Sequence, residues 1–214
     1  MELYFAVDIK DGKVVWGCGG EREKYEEISK HSFVKSSIPL EVLKEIKPKR
    51  VYIADLNAIE GKGKNDLSFL NEKYIKIAAV DRGYKNKRDI KKDGKIIPVL
   101  GSETYDLREV VDDVFVSLDF KNGFLSDINL ATAIEILNSY NLRGVIVLDI
   151  KRVGKLSLNY SLIKEILDVS TNPVYAAGGI KCVEDLEKLN EMGVKGAILA
   201  TAIHKRRIPL HLIR

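Results

Sequence analysis

A chain of 214 residues with 45% hydrophobic and 31% charged side chains and a mean hydropathy of -0.10 has the composition of a folded globular protein, which argues against a disordered or membrane-spanning chain. Its net charge of +4, from 35 basic and 31 acidic residues spread along the whole sequence, is too mild for a nucleic-acid footprint and suits small anionic partners better. The opening MELYFAVDIKDG lacks the basic region and long apolar core of an export signal, so a cytoplasmic location is expected, with Cys18 and Cys182 as free thiols.

Four short apolar, β-branched runs lie at 2–8, 50–55, 75–80 and 95–100, and four more at 113–119, 144–149, 172–177 and 195–200. Each is too short for an independent helix, and their near-continuous apolar character suits strands buried on both faces of a parallel sheet. Between them, 38–46, 127–140, 160–167 and 183–192 carry apolar residues at helical spacing, while the final unit has only 208–214 for its helix. Strands alternating with amphipathic helices predict βαβ units.

The two halves of the sequence resemble each other. AVDIKDGK (6–13) matches SLDFKNGF (117–124), which sets Asp8 against Asp119 and Lys10 against Lys121. VYIADLNAIEGK (51–62) echoes VIVLDIKRVGK (145–155), setting Asp55 against Asp149, and AAVDRGYK (78–85) has its counterpart in YAAGGIK (175–181). Such a repeat favours a closed barrel over an open doubly wound sheet. The prediction is one (β/α)8 TIM barrel over residues 1–214, with half-barrel repeats of about 1–110 and 111–214 and a shortened last helix.

Taken together, AVDIKDGKVV, VYIADLNAIEGKG, VSLDFKNG, YAAGGIKCVEDL and GVKGAILATAI resemble the HisA/HisF family of histidine-biosynthetic half-barrel enzymes over essentially the whole chain. In members of the HisA type, the acids after the first and fifth strands act as base and acid in an Amadori rearrangement, and the resemblance carries those roles to Asp8 and Asp119. The chemistry asks for such a pair. Converting an N-glycosylamine to an aminoketose needs one group to protonate the ring oxygen and another to remove the C2 proton. Strands one and five face each other across an eight-stranded barrel, so acids at their C-terminal ends would flank a substrate in the mouth. The structural alternative is that both acids only cap helices or pair with Lys10 and Lys121.

Gly178 and Gly179, in the loop after the seventh strand, can offer backbone N–H groups to a phosphate, with Ala200 and Thr201 closing the site. Glycines there can also serve only a tight turn. Two departures from the family pattern stand out. After the third strand, Asp81 and Arg82 replace two glycines of a triplet, so a phosphate would be repelled unless Arg82 or Lys85 neutralises Asp81; Gly101 and Ser102 after the fourth strand remain candidates for anion contact. After the sixth strand, Leu148 stands where the family has Thr, and Val153 and Lys155 flank Gly154.

Lys10, Asp55, Asp149, Arg82 and Lys85 are candidate substrate contacts, with ion pairing of Asp55 and Asp149 to Lys62, Lys151 or Arg152 as the plainer reading. Trp16 lies in a glycine-bearing loop, more suited to packing than to covering a substrate. The three histidines and two cysteines show no metal-ligand spacing, so neither a metal nor a cofactor is expected. The expected partner is a phosphorylated small molecule, with no nucleic acid and no membrane. The resemblance implies a HisA-like isomerase acting on a phosphorylated ribosyl-amine, and the departure at Asp81 and Arg82 implies a ligand with one phosphate, its other end met by Asp81, Arg82 and Lys85. A HisF-like lyase or cyclase and a non-catalytic phosphate-binding barrel are the alternatives.

Overall fold

Each β-branched run forms a strand, and in the computed structural model, which describes residues 1–214, eight strands close into a parallel barrel. In chain order the strands are β1 (Glu2–Lys10), β2 (Lys13–Trp16), β3 (Glu26–Glu27), β4 (Arg50–Asp55), β5 (Ile77–Asp81) and β6 (Ile96–Gly101). They continue as β7 (Phe115–Phe120), β8 (Gly144–Asp149), β9 (Val174–Ala177) and β10 (Gly196–Leu199). The barrel runs β1-β4-β5-β6-β7-β8-β9-β10 and closes where β10 pairs with β1, Glu2 opposite Gly196 and Phe5 opposite Leu199.

The extra strands β2 and β3 extend β1 as an antiparallel ribbon above the barrel. The stretch read as a glycine-rich loop around Trp16 therefore begins as a strand. Its turn is Asp11-Gly12, both with positive φ (51° and 75°), the backbone that a two-residue hairpin turn requires and that Asp-Gly supplies at low cost.

Two apolar layers hold the barrel. Outward-facing residues of the strands pack against the helices in a 44-residue cluster, and inward-facing residues fill the barrel in a 12-residue cluster. At the N-terminal floor, Tyr4, Phe115 and Tyr175 meet edge-to-face with ring centroids 5.1 to 6.0 Å apart. Gly144 and Gly196 make room for this plug, because a Cβ on either would lie 2.4 or 2.5 Å from the Tyr175 ring.

The helices are unevenly distributed. The first half has α1 (Pro39–Ile46) and a single turn, α2 (Leu56–Ile59); 3-10 turns at Lys87–Asp89 and Leu107–Glu109 stand where helices would follow β5 and β6. The second half has α3 (Leu130–Leu137), α4 (Tyr160–Val169) and α5 (Val183–Glu191). Asn129 and Asn159 start α3 and α4 by accepting the N–H of Thr132 and Leu162, the side-chain cap that satisfies an otherwise unpaired donor. The last unit is shortened as expected, to α6 (Thr201–His204) and a 3-10 turn at Leu210–Leu212.

Candidate active site

Strand alternation sends Asp8, Asp81 and Asp119 inward at the C-terminal ends of β1, β5 and β7, and all three line one cavity of about 120 Å3 in the barrel mouth. Asp119 is 4% exposed. Its carboxylate accepts the Ser117 hydroxyl at 2.6 Å and the Glu103 N–H at 3.2 Å, and its own N–H donates to Ser102 Oγ at 2.9 Å. Desolvation nevertheless raises Asp119 to about 6, the two hydrogen bonds opposing the rise. Asp8 is half-buried, and desolvation raises it likewise to about 6, with Arg22 pulling the other way. A Cβ on Gly17 would lie 2.6 Å from Asp8 Oδ2, so only glycine lets the loop after β2 cross this carboxylate.

That loop closes the mouth. Repeat-related Lys10 and Lys121 both hold it, donating to the carbonyls of Arg22 and Gly20 at 2.8 Å each. Gly19 N–H donates to the Val153 carbonyl at 3.0 Å on the far side. Arg22 grips Glu103 through two hydrogen bonds of 2.9 and 2.6 Å. Trp16 packs where it was expected to, against a neighbouring helix, and also lines the cavity; its indole N–H donates to Thr201 Oγ1 of α6 at 3.3 Å, and its ring stacks on His31 at 4.0 Å.

Opposite, Gly178, Gly179, Ala200 and Thr201 line the same cavity. The N–H groups of Gly178, Gly179 and Ile180 have no hydrogen-bond partner within the chain. Both glycines have positive φ (83° and 98°), and a Cβ would meet the Asp149 carbonyl at 2.6 Å or the Ser157 carbonyl at 2.4 Å. They therefore also permit close packing of the β9 loop on the β8 loop. His204 lines the cavity too; burial pushes its imidazole down to about 4.

Several predicted contacts lie elsewhere. Asp55 is fully buried, and its oxygens are taken by the Ala58 and Asn65 N–H groups, the Asn65 side chain and Arg82 Nε at 3.2 Å. It organises the β4 loop. Arg82 donates besides to the Asn65 carbonyl at 2.6 Å, and Lys85 is exposed, so neither lines the cavity nor neutralises Asp81. The cause is Gly83: at φ 58° it packs within 2.6 Å (Cβ position) of the Ile59 backbone and turns the chain away from the mouth. Asp149 accepts Asn159 Nδ2 at 3.0 Å outside the cavity, with Arg152 3.8 Å away; Lys62 pairs with Glu60. Ser102 is spent on the Asp119 backbone, and Gly101 serves by its missing side chain, since a Cβ there would lie 3.1 Å from both Asp81 Oδ2 and Asp119 Oδ2.

Comparison with known proteins bears on what this mouth does. The model of a family described as histidine biosynthesis protein matches residues 104–209. An uncharacterized protein of Methanocaldococcus jannaschii is 37% identical over 229 residues, spanning 100% of this chain and 97% of its own. The chain belongs to the histidine biosynthesis protein family. Among other family members, isomerases named for an imidazole-4-carboxamide bearing two phosphoribosyl groups, from Clostridium novyi and Bacillus cereus, are 29% and 26% identical over 96% and 98% of this chain and 94% and 96% of theirs. The chain is a divergent member of the HisA/HisF type.

The residues that reading the sequence missed are Tyr52, Arg22 and Glu103, all of which line the cavity. Asp81 was read as a lost phosphate contact that would meet the ligand's other end together with Arg82 and Lys85, of which only Asp81 lines the cavity. Its inward position could have been found from the alternation Ala79-Val80-Asp81, which parallels Ala6-Val7-Asp8.

Proposed function

We propose that this barrel is an aldose-ketose isomerase of the HisA type, acting on a ribosyl-amine that carries one phosphate. The observation that carries the reading is the pair Asp8 and Asp119, delivered by opposite strands to one cavity in the barrel mouth and each held at about 6, where one can be protonated while the other is ionised. The protonated acid gives its proton to the ring oxygen as the C1–O bond breaks, leaving a C1=N Schiff base. The ionised acid then takes the C2 proton, and the resulting enolamine tautomerises to the aminoketose. The loop held by Lys10 and Lys121 excludes water from this exchange. Gly178, Gly179, Ala200 and Thr201 are assigned to the phosphate, because they line the cavity and the N–H groups of Gly178, Gly179 and Ile180 have no partner in the chain.

The test is turnover of mono-phosphorylated ribosyl-amines. Asp8→Asn and Asp119→Asn should each lower it by about 10²-fold or more, with the folded state retained. A variant that keeps wild-type turnover removes its acid from the reaction, and one that unfolds gives it a structural role. Processing of the bis-phosphorylated imidazole carboxamide at about 1 s⁻¹ or faster would replace the mono-phosphate assignment with the histidine-pathway one.

A further inference from the structure

Two polar residues of the mouth, Tyr52 and Asp81, take no part in the isomerase chemistry, and both stand beside Asp119, which does. Tyr52, on β4, is 6% exposed, and no group of the protein hydrogen-bonds its hydroxyl, which opens onto the cavity. Burial raises this phenol well above its ordinary range, and the charges of Asp81, Asp119 and Asp8, which line the same cavity, raise it further. Asp81 is 7% exposed; one oxygen accepts the Gly83 N–H at 2.9 Å and the other has no donor. That free oxygen and Asp119 Oδ2 border the space left open over Gly101.

We propose that Tyr52, Asp81 and Asp119 form a subsite for a primary ammonium group, so that the ligand of this barrel is an amino-bearing phosphate monoester. Its phosphate end rests on the reading of the β9 and β10 loops given above. The charge balance points this way. Arg22 is the only Lys or Arg lining the cavity, and its guanidinium is committed to Glu103, so Asp8, Asp81 and Asp119 have no cation of their own. A buried carboxylate without a partner is costly, and a ligand cation that supplies the partner is bound in proportion. A second phosphate would be repelled by the same groups. An ammonium is compact and has three donors, which the phenol oxygen and two carboxylates can accept. No three acidic, His or Cys side chains converge as a metal ion requires.

Calorimetry on the full-length protein with aminopropyl phosphate, propyl phosphate and propanediol bisphosphate tests the subsite. Aminopropyl phosphate should bind about tenfold tighter than propyl phosphate or better. Asp81→Asn should abolish that preference and Tyr52→Phe reduce it, while affinity for propyl phosphate stays unchanged. Both substitutions are near-isosteric, and circular dichroism checks that they fold. Equal affinity for the first two compounds, tightest binding of the bisphosphate, no binding of aminopropyl phosphate, or a preference that survives Asp81→Asn would each overturn the proposal. Ammonium preference without isomerase turnover would sink the isomerase reading and leave the subsite; turnover without the preference would do the reverse.

Discussion

The first half of this barrel, to about residue 110, and the second half build the same curved sheet with very different outer coats. In the second half α3, α4 and α5 are 8, 9 or 10 residues long, whereas the first half has α1 at 8 residues and α2 at 4. The cause is local. RGYKNKRDIKKDGK (82–95) is dominated by charge and has no apolar stripe to bury, so it crosses from β5 to β6 with one 3-10 turn. The match to the family model, residues 104–209, falls almost wholly on the well-coated half. Strand pairing and interior packing thus suffice to close the barrel, and both halves furnish the mouth: the thin half supplies Asp8, Asp81, Tyr52 and the closing loop, while the thick half supplies Asp119 and the glycine loop.

The largest structural effect that would sharpen this contrast comes from two corresponding glycines. Gly179→Ala places a Cβ 2.4 Å from the Ser157 carbonyl at φ 98°, and Gly83→Ala places one 2.6 Å from Ile59 Cα at φ 58°. The first presses on a loop pinned between β8 and α4; the second presses on α2, a single turn able to shift. We expect losses of about 3 kcal/mol for Gly179→Ala and about half that for Gly83→Ala in chemical denaturation. Equal losses would show that the thin half is packed as rigidly as the thick one.

A smaller effect isolates Asp81. Its carboxyl stands at about 7 in the folded protein against 3.8 as an ordinary aspartate, chiefly through desolvation. The folded state therefore binds the proton more tightly than the unfolded chain, and the group's contribution to stability is full below pH 3.8 and lost as pH rises through about 7. Asp81→Asn removes the ionisation, so it should stabilise the protein by about 1–3 kcal/mol at pH 8 and change little near pH 4. Thermal melts across that range measure it. Destabilisation by Asp81→Asn at pH 8 would mean that the carboxylate has a cationic partner in the folded protein.

Sequence reading recovered the elements whose signal is local. All eight barrel strands and the four helices α1, α3, α4 and α5 follow from β-branched runs and helical spacing, and the pairing of Asp8 with Asp119 follows from the internal repeat. The β1–β2 hairpin was also written in the sequence, as Asp-Gly between IK and KVV, but the glycines after Trp16 drew the reading toward a loop. Asp55 and Arg82 were placed at the mouth because they follow strands; only three-dimensional packing shows that they satisfy each other and the Asn65 loop. Tyr52 offered no signal, since an apolar strand position reads the same whether its hydroxyl meets a void or three carboxylates.

The smallest expected effect asks whether the two halves share the closing loop equally. Lys10 belongs to the thin half and Lys121 to the thick one, and each gives one 2.8 Å hydrogen bond to a loop carbonyl. Neither lysine is fully buried, so each bond contributes about 1 kcal/mol to loop closure rather than the larger value of an enclosed charged donor. Lys10→Met and Lys121→Met keep the aliphatic stem and remove the donor. Each should therefore raise hydrogen exchange at the loop amides of residues 17–24 by about fivefold, with the melting temperature of the barrel unchanged. Arg22 still holds Glu103 in both variants, which limits the opening to this size. If Lys121→Met alone loosens the loop, the thick half holds the mouth by itself and Lys10 is a remnant of the repeat; if Lys10→Met alone does so, the thin half carries its own lid.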